Sequence, residues 1–237
     1  MNTVILLAAG ISSRMSGHID DKTLYRLKSI PVLAYSIEAF IESSTIEHLL
    51  IVVRSMHQKE QIESLISFPS HLSVSFVQGG KERSESVYKA LISCPKETKK
   101  VLIHDGARPF VKKSQIQSIV KKLDKYSAVS LASRVTDTIK ITDSNKHHSN
   151  GFKLHDLDRT ALWAMQTPQG FVYPKIVEAY KFITQKRIKV TDDVGAFQHL
   201  YPETYLVENL EPNLKITHPS DLSIAEYLIQ SPRSLYN

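Results

Sequence analysis

Cysteine is nearly absent: the 237 residues hold one, Cys94. A lone thiol excludes an intramolecular disulfide framework and any multi-cysteine metal site, and it suits a reducing compartment. No histidine or aspartate flanks Cys94 in sequence, so a catalytic thiol is not expected. Long apolar runs are missing too. The stretch Val4 to Ala9 ends at Gly10 and two serines, whereas a spanning helix needs about 20 apolar residues. No basic region precedes that stretch, so a buried strand is expected there rather than a secretion signal. These absences point to the cytoplasm and away from a membrane. Repeats, low-complexity tracts and Gly/Pro/Ser-rich linkers are also lacking. One domain spanning 1–237 is the expectation, and at this length about 70% of the unfolded surface is buried on folding.

What is present begins with charge. Thirty basic residues against 24 acidic ones give a formal charge of +6. Such a surplus suits anionic partners. The basic residues are scattered, with Lys99-Lys100, Lys112-Lys113 and Lys121-Lys122 the tightest groups. Nucleic acid, anionic lipid and phosphorylated small molecules all fit, as does an inert basic surface; no aromatic-interleaved basic tract occurs, so sequence-specific nucleic-acid binding is not the leading idea.

Apolar runs alternate with amphipathic stretches. Strands are predicted at Thr3–Leu7, His48–Val53, Leu72–Val77, Lys100–His104 and Ala128–Ala132. Helical spacing falls between them, at Pro31–Ile41 with Pro31 in the first turn, Gln58–Ile66, Ser84–Leu91 with Ser84 as cap, and Ser114–Leu123. This rhythm predicts an α/β fold with a mostly parallel sheet and helices on both faces. Ligands of such sheets bind at strand carboxyl ends, so residues just after Leu7, Gln78 and His104 should matter most. From Thr136 to Gly170 the rhythm breaks. Strand-like pieces at Thr138–Thr142 and Gly151–His155 flank a polar turn, Asp143–Asn150, and predict a projecting hairpin arm over 136–160. Helices at Lys175–Thr184, Asp192–Leu200 and Asp221–Gln230 follow, with strands at Thr204–Glu208 and Lys215–Ile216.

Three loops carry the chemistry. After the first strand come Ala8, Ala9, Gly10, Ile11, Ser12, Ser13 and Arg14, with Lys22 further on. Small residues let backbone N–H groups approach a phosphate, and two cations in one loop suit a triphosphate. The same small residues also make a plain tight turn. Neither G-x-G-x-x-G nor G-x-x-x-x-G-K-[ST] is present, and no G-x-S-x-G elbow surrounds Ser12 or Ser13. After the third strand come Gly79-Gly80 and the serines Ser84 and Ser86, which also fit a simple strand-to-helix turn. After the fourth strand stands His104-Asp105-Gly106-Ala107-Arg108. Asp105 there can hold Mg²⁺, which takes one or two carboxylates plus phosphate oxygens. Arg108 can grip a phosphate or pair with Asp105. Asp192 and Asp193 read as helix caps, and His147-His148 as a solvated loop tip.

In order along the chain stand A-A-G…R-M…K, G-G-x-x-R-x-x-S-V, H-D-x-A-R-P-F, D-T-x-K, R-x-x-L-W-x-x-Q-T-P-Q-x-F, T-D-D and N-x-K-I-T-x-P-x-D-L. This series, from Val4 to Leu228, resembles the 2-C-methyl-D-erythritol 4-phosphate cytidylyltransferase family of the non-mevalonate isoprenoid pathway. The resemblance implies a nucleotide-diphospho-sugar transferase-like fold and a homodimer built through the arm. It implies transfer from CTP to a sugar-alcohol phosphate, with Mg²⁺ as cofactor. Arg14, Lys22 and Lys215 would face the triphosphate and the reacting phosphorus. Ala8, Ala9, Gly10, Gly80, Ser86 and Asp105 would bind the nucleotide. Asp105 and Arg108 would lie near metal and acceptor. Thr138, Arg159 and Thr167 would reach the acceptor phosphate from the partner's arm, and Thr191 would help close the site. Ribitol-5-phosphate cytidylyltransferase is the nearest alternative; Leu162-Trp163 favours the methylerythritol enzyme. Four positions depart from the pattern: Ser12 for a glycine, Asp21 for a proline, Gly106 for an alanine, and Val194-Gly195 for Ala-Ser.

Overall fold

The computed structural model describes residues 1–15, 19–142 and 152–230. Strand β1 (Asn2–Leu7) is apolar almost throughout because both its faces are covered. Its side chains alternate between two cores: Val4 and Leu6 join one, Ile5 the other. A short hairpin, β2 (Arg26–Leu27) and β3 (Ile30–Pro31), leads into α1 (Val32–Glu42). Pro31 is the N-cap of α1 and not part of its first turn. Then come β4 (His48–Val53), buried at every residue, and α2 (Met56–Leu65), where the Ser55 side chain accepts from the Gln58 amide.

The alternation continues through β5 (Ser73–Gln78), α3 (Arg83–Ile92), β6 (Lys100–Asp105), α4 (Lys113–Lys122) and β7 (Ala128–Arg134). Ser84 does not cap α3: that position falls to Glu82, and Ser84 lies inside the first turn. Strands β8 (Lys140–Thr142) and β9 (Leu154–Asp156) pair antiparallel as a separate two-stranded sheet, with Lys140 opposite Asp156. The turn Asp143–Asn150, its His147-His148 pair and Gly151 lie outside the described residues.

Strand β10 (Trp163–Val172) has no counterpart in the sequence reading. It runs antiparallel between β6 and β7. Pro168 argues against a central strand, and it sits where the register with β7 shifts, between Met165 and Gln169. Helices α5 (Tyr173–Lys186) and α6 (Asp193–Gln198), strand β11 (Tyr205–Glu208) and helix α7 (Pro219–Gln230) complete the chain. Lys215 and Ile216 form no strand; the Ile216 N–H donates to the Ala107 carbonyl at 2.9 Å instead.

The sheet order is β11-β7-β10-β6-β1-β4-β5. Only β10 opposes its neighbours, so the sheet is mostly parallel as expected. One core packs Leu33, Phe40, Ile62 and Ile116 against a face of the sheet, and the other packs Val87, Ile176, Tyr180 and Phe197 against the opposite face. Among the described residues no helix is long and apolar enough to cross a membrane.

Candidate active site at the strand carboxyl ends

Parallel β1 and β6 end side by side, with Leu7 opposite Asp105. Asp105 is only 8% exposed. Three cations from three parts of the chain surround its carboxylate. Lys215 Nζ lies 2.7 Å from Oδ2, Arg108 Nε 3.6 Å from Oδ2 and Arg83 Nε 3.6 Å from Oδ1. Burial pushes the Asp105 carboxyl up, but Arg83, Lys215 and Arg108 outweigh it and hold it well below the ordinary carboxylate range. The Asp105–Arg108 ion pair exists and belongs to a larger charged cluster.

Arg83 is the largest omission from the sequence reading. Its guanidinium forms a fork on Asp193, at 2.9 and 2.7 Å, and Asp193 is 0% exposed. Tyr180 donates to the same carboxylate at 2.6 Å. Asp193 is thus no helix cap; Asp192 fills that role by accepting from the Gly195 amide. The signal was present as the arginine of G-G-x-x-R, but its partner lies 110 residues away.

Thr167 also differs from expectation. It is buried in β10 of the same chain and is not part of the arm. Its Oγ1 accepts from the Asp105 amide at 3.1 Å and lies 3.0 Å from His104 Nδ1. His104 Nε2 faces the Arg108 carbonyl at 3.2 Å. A carbonyl only accepts, so Nε2 carries the proton and Thr167 donates to Nδ1. Burial above all pushes the His104 pKa down to about 4, which keeps the ring neutral. Arg108 Nη1 donates to the Asn213 carbonyl at 2.7 Å, and Asn213 Nδ2 donates to the Thr167 carbonyl at 2.9 Å. These bonds fix the segment that carries Lys215.

The first loop supplies further cations. Lys22 is half-buried and Arg14 exposed. Burial, followed by the like charges of Lys215 and Arg14, lowers the Lys22 pKa, while Asp105 and Asp221 oppose that shift. Lys22 therefore lies within electrostatic reach of both Arg14 and Lys215. The close approach between loops falls at Gly79: a Cβ there would lie 2.9 Å from the Ala9 Cβ and 2.9 Å from Ser86 Oγ. Gly10, by contrast, has open space around it. The Gly80 amide donates to Ser86 Oγ at 2.9 Å, so Ser86 braces the second loop.

The remaining predicted residues, Thr138, Arg159 and Thr191, stand on other segments of the chain. Thr138 and Arg159 are exposed in and beside the arm, Arg159 donating to the Thr136 carbonyl at 2.7 Å. Thr191 is exposed immediately before the α6 cap. Among the described residues no group of three or more His, Cys, Asp or Glu could hold a metal by itself. A divalent ion would need Asp105 together with oxygens of a bound phosphate.

A mostly parallel α/β sheet whose strand ends gather Arg83, Arg108, Lys215 and Lys22 around one buried acid fits a phosphate-handling enzyme of the nucleotide-binding class. The family model described as 2-C-methyl-D-erythritol 4-phosphate cytidylyltransferase (IspD) matches residues 2–231. A protein of that name from Clostridium beijerinckii is 38% identical over 232 residues, 98% of this chain and 99% of that one. One from Prochlorococcus marinus is 36% identical over 228 residues, 96% and 99% of the two chains. The Thermus thermophilus 2-C-methyl-D-erythritol 4-phosphate cytidylyltransferase structure has a TM-score of 0.75 at 26% identity, covering 98% of this chain and 100% of that one. The Francisella tularensis structure of that name gives 0.76 at 26% identity, covering 95% and 98%. The chain belongs to the 2-C-methyl-D-erythritol 4-phosphate cytidylyltransferase family.

Proposed function

We propose that this chain transfers CMP from CTP to 2-C-methyl-D-erythritol 4-phosphate in isoprenoid precursor synthesis. The products are 4-diphosphocytidyl-2-C-methyl-D-erythritol and pyrophosphate. The observation that carries this reading is the ring of cations around Asp105 in a chain of this family. An acceptor phosphate oxygen attacks the α-phosphorus of CTP. That P–O bond forms as the bridge to the β-phosphate breaks, and pyrophosphate leaves with the bridging electrons. A phosphate monoester is mostly a dianion at neutral pH, since its second pKa is about 6. No general base is then required, and His104, neutral and bonded through both ring nitrogens, is unsuited to be one.

The difficulty is repulsion between anions. Arg14, Lys22 and Lys215 meet it by facing the triphosphate and the charge that builds on the five-coordinate phosphorus. Asp105 is the residue that would hold Mg²⁺, since a single carboxylate completed by phosphate oxygens suits that ion. A bound Mg²⁺ supplies further neutralisation of phosphate charge. Ala8, Ala9, Gly10, Gly80 and Ser86 line the nucleotide side, Arg108 and Thr191 the acceptor side. Thr167 acts from within the same chain by orienting Asp105.

We also infer a homodimer in which the arm over 136–160 brings Thr138 and Arg159 to the acceptor phosphate in the partner's cleft. Exposed Ile139, Ile141, Phe152 and Leu154 support it, since such side chains cluster where a surface is to be covered. A cytoplasmic setting goes with the single, buried thiol. Pyrophosphate release, with Mg²⁺ and CTP, tests the function when methylerythritol 4-phosphate and ribitol 5-phosphate are compared. Release with the first alone is expected. Release with the second alone would keep the fold and mechanism but move the acceptor.

A further inference from the structure

Lys22 sits between two local devices that belong to no expected motif role. On one side is Ser12, a non-glycine residue with φ 52°, in the left-handed region that favours glycine. Its hydroxyl accepts from the Lys22 backbone N–H at 3.2 Å, and its carbonyl accepts from the Met15 amide at 2.8 Å. The strained residue is thus the one whose side chain holds the Lys22 backbone. On the other side is Asp21. Its Oδ1 accepts from the Thr23 amide at 2.9 Å and the Thr23 hydroxyl at 2.6 Å. Its Oδ2 accepts from Arg54 Nη2 at 2.7 Å and Gln58 Nε2 at 2.6 Å.

Arg54 and Gln58 tie this corner to rigid elements. Gln58 is buried in α2 and also donates to the Ala8 carbonyl at 3.0 Å, while its Oε1 accepts from the Arg54 amide at 2.7 Å. Arg54 Nη1 reaches the Gly10 carbonyl at 3.4 Å and the Asp20 carbonyl at 3.2 Å. One guanidinium thus touches both limbs of the first loop and the residue beside Lys22. A planar fork can do this; the single ammonium of a lysine cannot.

We infer that Ser12 and the Asp21–Arg54–Gln58 network are positioning residues: they set the Lys22 backbone, and with it the ammonium that faces the triphosphate. The inference rests on the proposed role of Lys22 in binding CTP. None of the four touches Asp105, so their effect passes through Lys22 and the loop. Displacement of a catalytic group by about 1 Å can lower rate about 100-fold.

The test uses the full-length protein and three variants, Ser12→Gly, Asp21→Asn and Arg54→Met. Hydrogen exchange reads the Lys22 and Thr23 amides without any substrate. Pyrophosphate release reads kcat/KM for CTP, and thermal unfolding reads Tm. Exchange at those two amides is expected to quicken about 10-fold or more in each variant, while β6 amides are unchanged. kcat/KM for CTP is expected to fall about 10-fold or more. Ser12→Gly separates positioning from simple support, because it relieves the φ 52° strain while removing the Lys22 contact. Its Tm should hold or rise as its activity falls. Tm and activity falling together in Ser12→Gly would overturn the inference. So would kinetics within about twofold of the parent despite quickened exchange, since a 1 Å displacement is expected to cost far more. A parent that releases no pyrophosphate with CTP and methylerythritol 4-phosphate would sink the functional reading and the inference together.

Discussion

The cleft and the arm use charge in opposite ways. In the cleft, Asp105 and Asp193 are buried, and Arg83 joins them across α3, β6 and α6. Each acid there is matched by cations on other elements of the same chain. In the arm, Lys140 pairs with Asp156 across two largely exposed three-residue strands. Its apolar residues are exposed as well, Leu154 by 56%. An isolated two-stranded hairpin is marginal in water. The buried acids of the cleft are therefore matched within one chain, whereas the apolar residues of the arm stay exposed in it.

Removing one charge from each region sharpens that contrast most. Arg83→Met leaves Asp193 buried with Tyr180 alone, and such stranded charges cost about 3–5 kcal/mol of stability. Lys140→Met should leave the urea midpoint unchanged. Equal shifts in the two variants would erase the distinction.

Acid should act on the cleft next. His104 titrates near 4 when folded and near 6.5 when unfolded. The unfolded chain takes up the proton first, so stability present above pH 6.5 is lost as pH falls toward 4. The loss is about 3 kcal/mol at 1.36 kcal/mol per pKa unit. Asp105, lowered as well, extends the loss below its unfolded value of 3.8. Unfolding titrations at pH 7, 5.5 and 4 should show the decline, and His104→Gln should flatten its upper part. A pH-independent midpoint over that range would contradict the buried neutral imidazole.

Catalysis gives a third comparison. Lys22→Ala or Lys215→Ala should lower kcat at least about 100-fold, the loss of one preorganised electrostatic contact. Near-normal turnover in either would remove that residue from the mechanism. Lys22 also loses its charge at lower pH than an ordinary lysine of 10.5. kcat/KM for CTP should therefore decline on the alkaline side, and Lys22→Arg should push that decline to higher pH.

Legibility in the sequence follows the same division. Strands β1, β4, β6 and β7 announce themselves because continuous apolar runs leave little choice. The three loops after β1, β5 and β6 follow from topology alone, whereas Lys215 reaches Asp105 from the segment after β11. Strand β10 was hidden by Pro168 and by its polar stretch Gln166–Gln169, which serves hydrogen bonds instead of a core. Thr167 was misplaced for the same reason. Arg83–Asp193 was hidden because pairing across 110 residues leaves no local pattern. Gly106, which stands where an alanine is usual, shows a constraint that no local pattern carries. A Cβ there would meet Leu33 Cδ1 at 2.8 Å and the Leu7 carbonyl at 3.0 Å, so this core is fitted to glycine.

The smallest effect expected is also the one that tests the arm. Arg159 is exposed and is held to the Thr136 carbonyl. If it grips only the remote phosphate of the acceptor, it contributes equally in the ground state and the transition state. Such a contact appears in KM and leaves kcat nearly untouched. Arg159→Ala should raise KM for methylerythritol 4-phosphate about 10-fold, roughly one charge-assisted hydrogen bond, with KM for CTP unchanged. A large rise in KM for CTP would move Arg159 to the nucleotide side. Light scattering over a concentration series supplies the other half of the test. A monomer that stays active at every concentration would mean that each cleft works without a partner's arm, and the exposed apolar residues of the arm would then need another explanation.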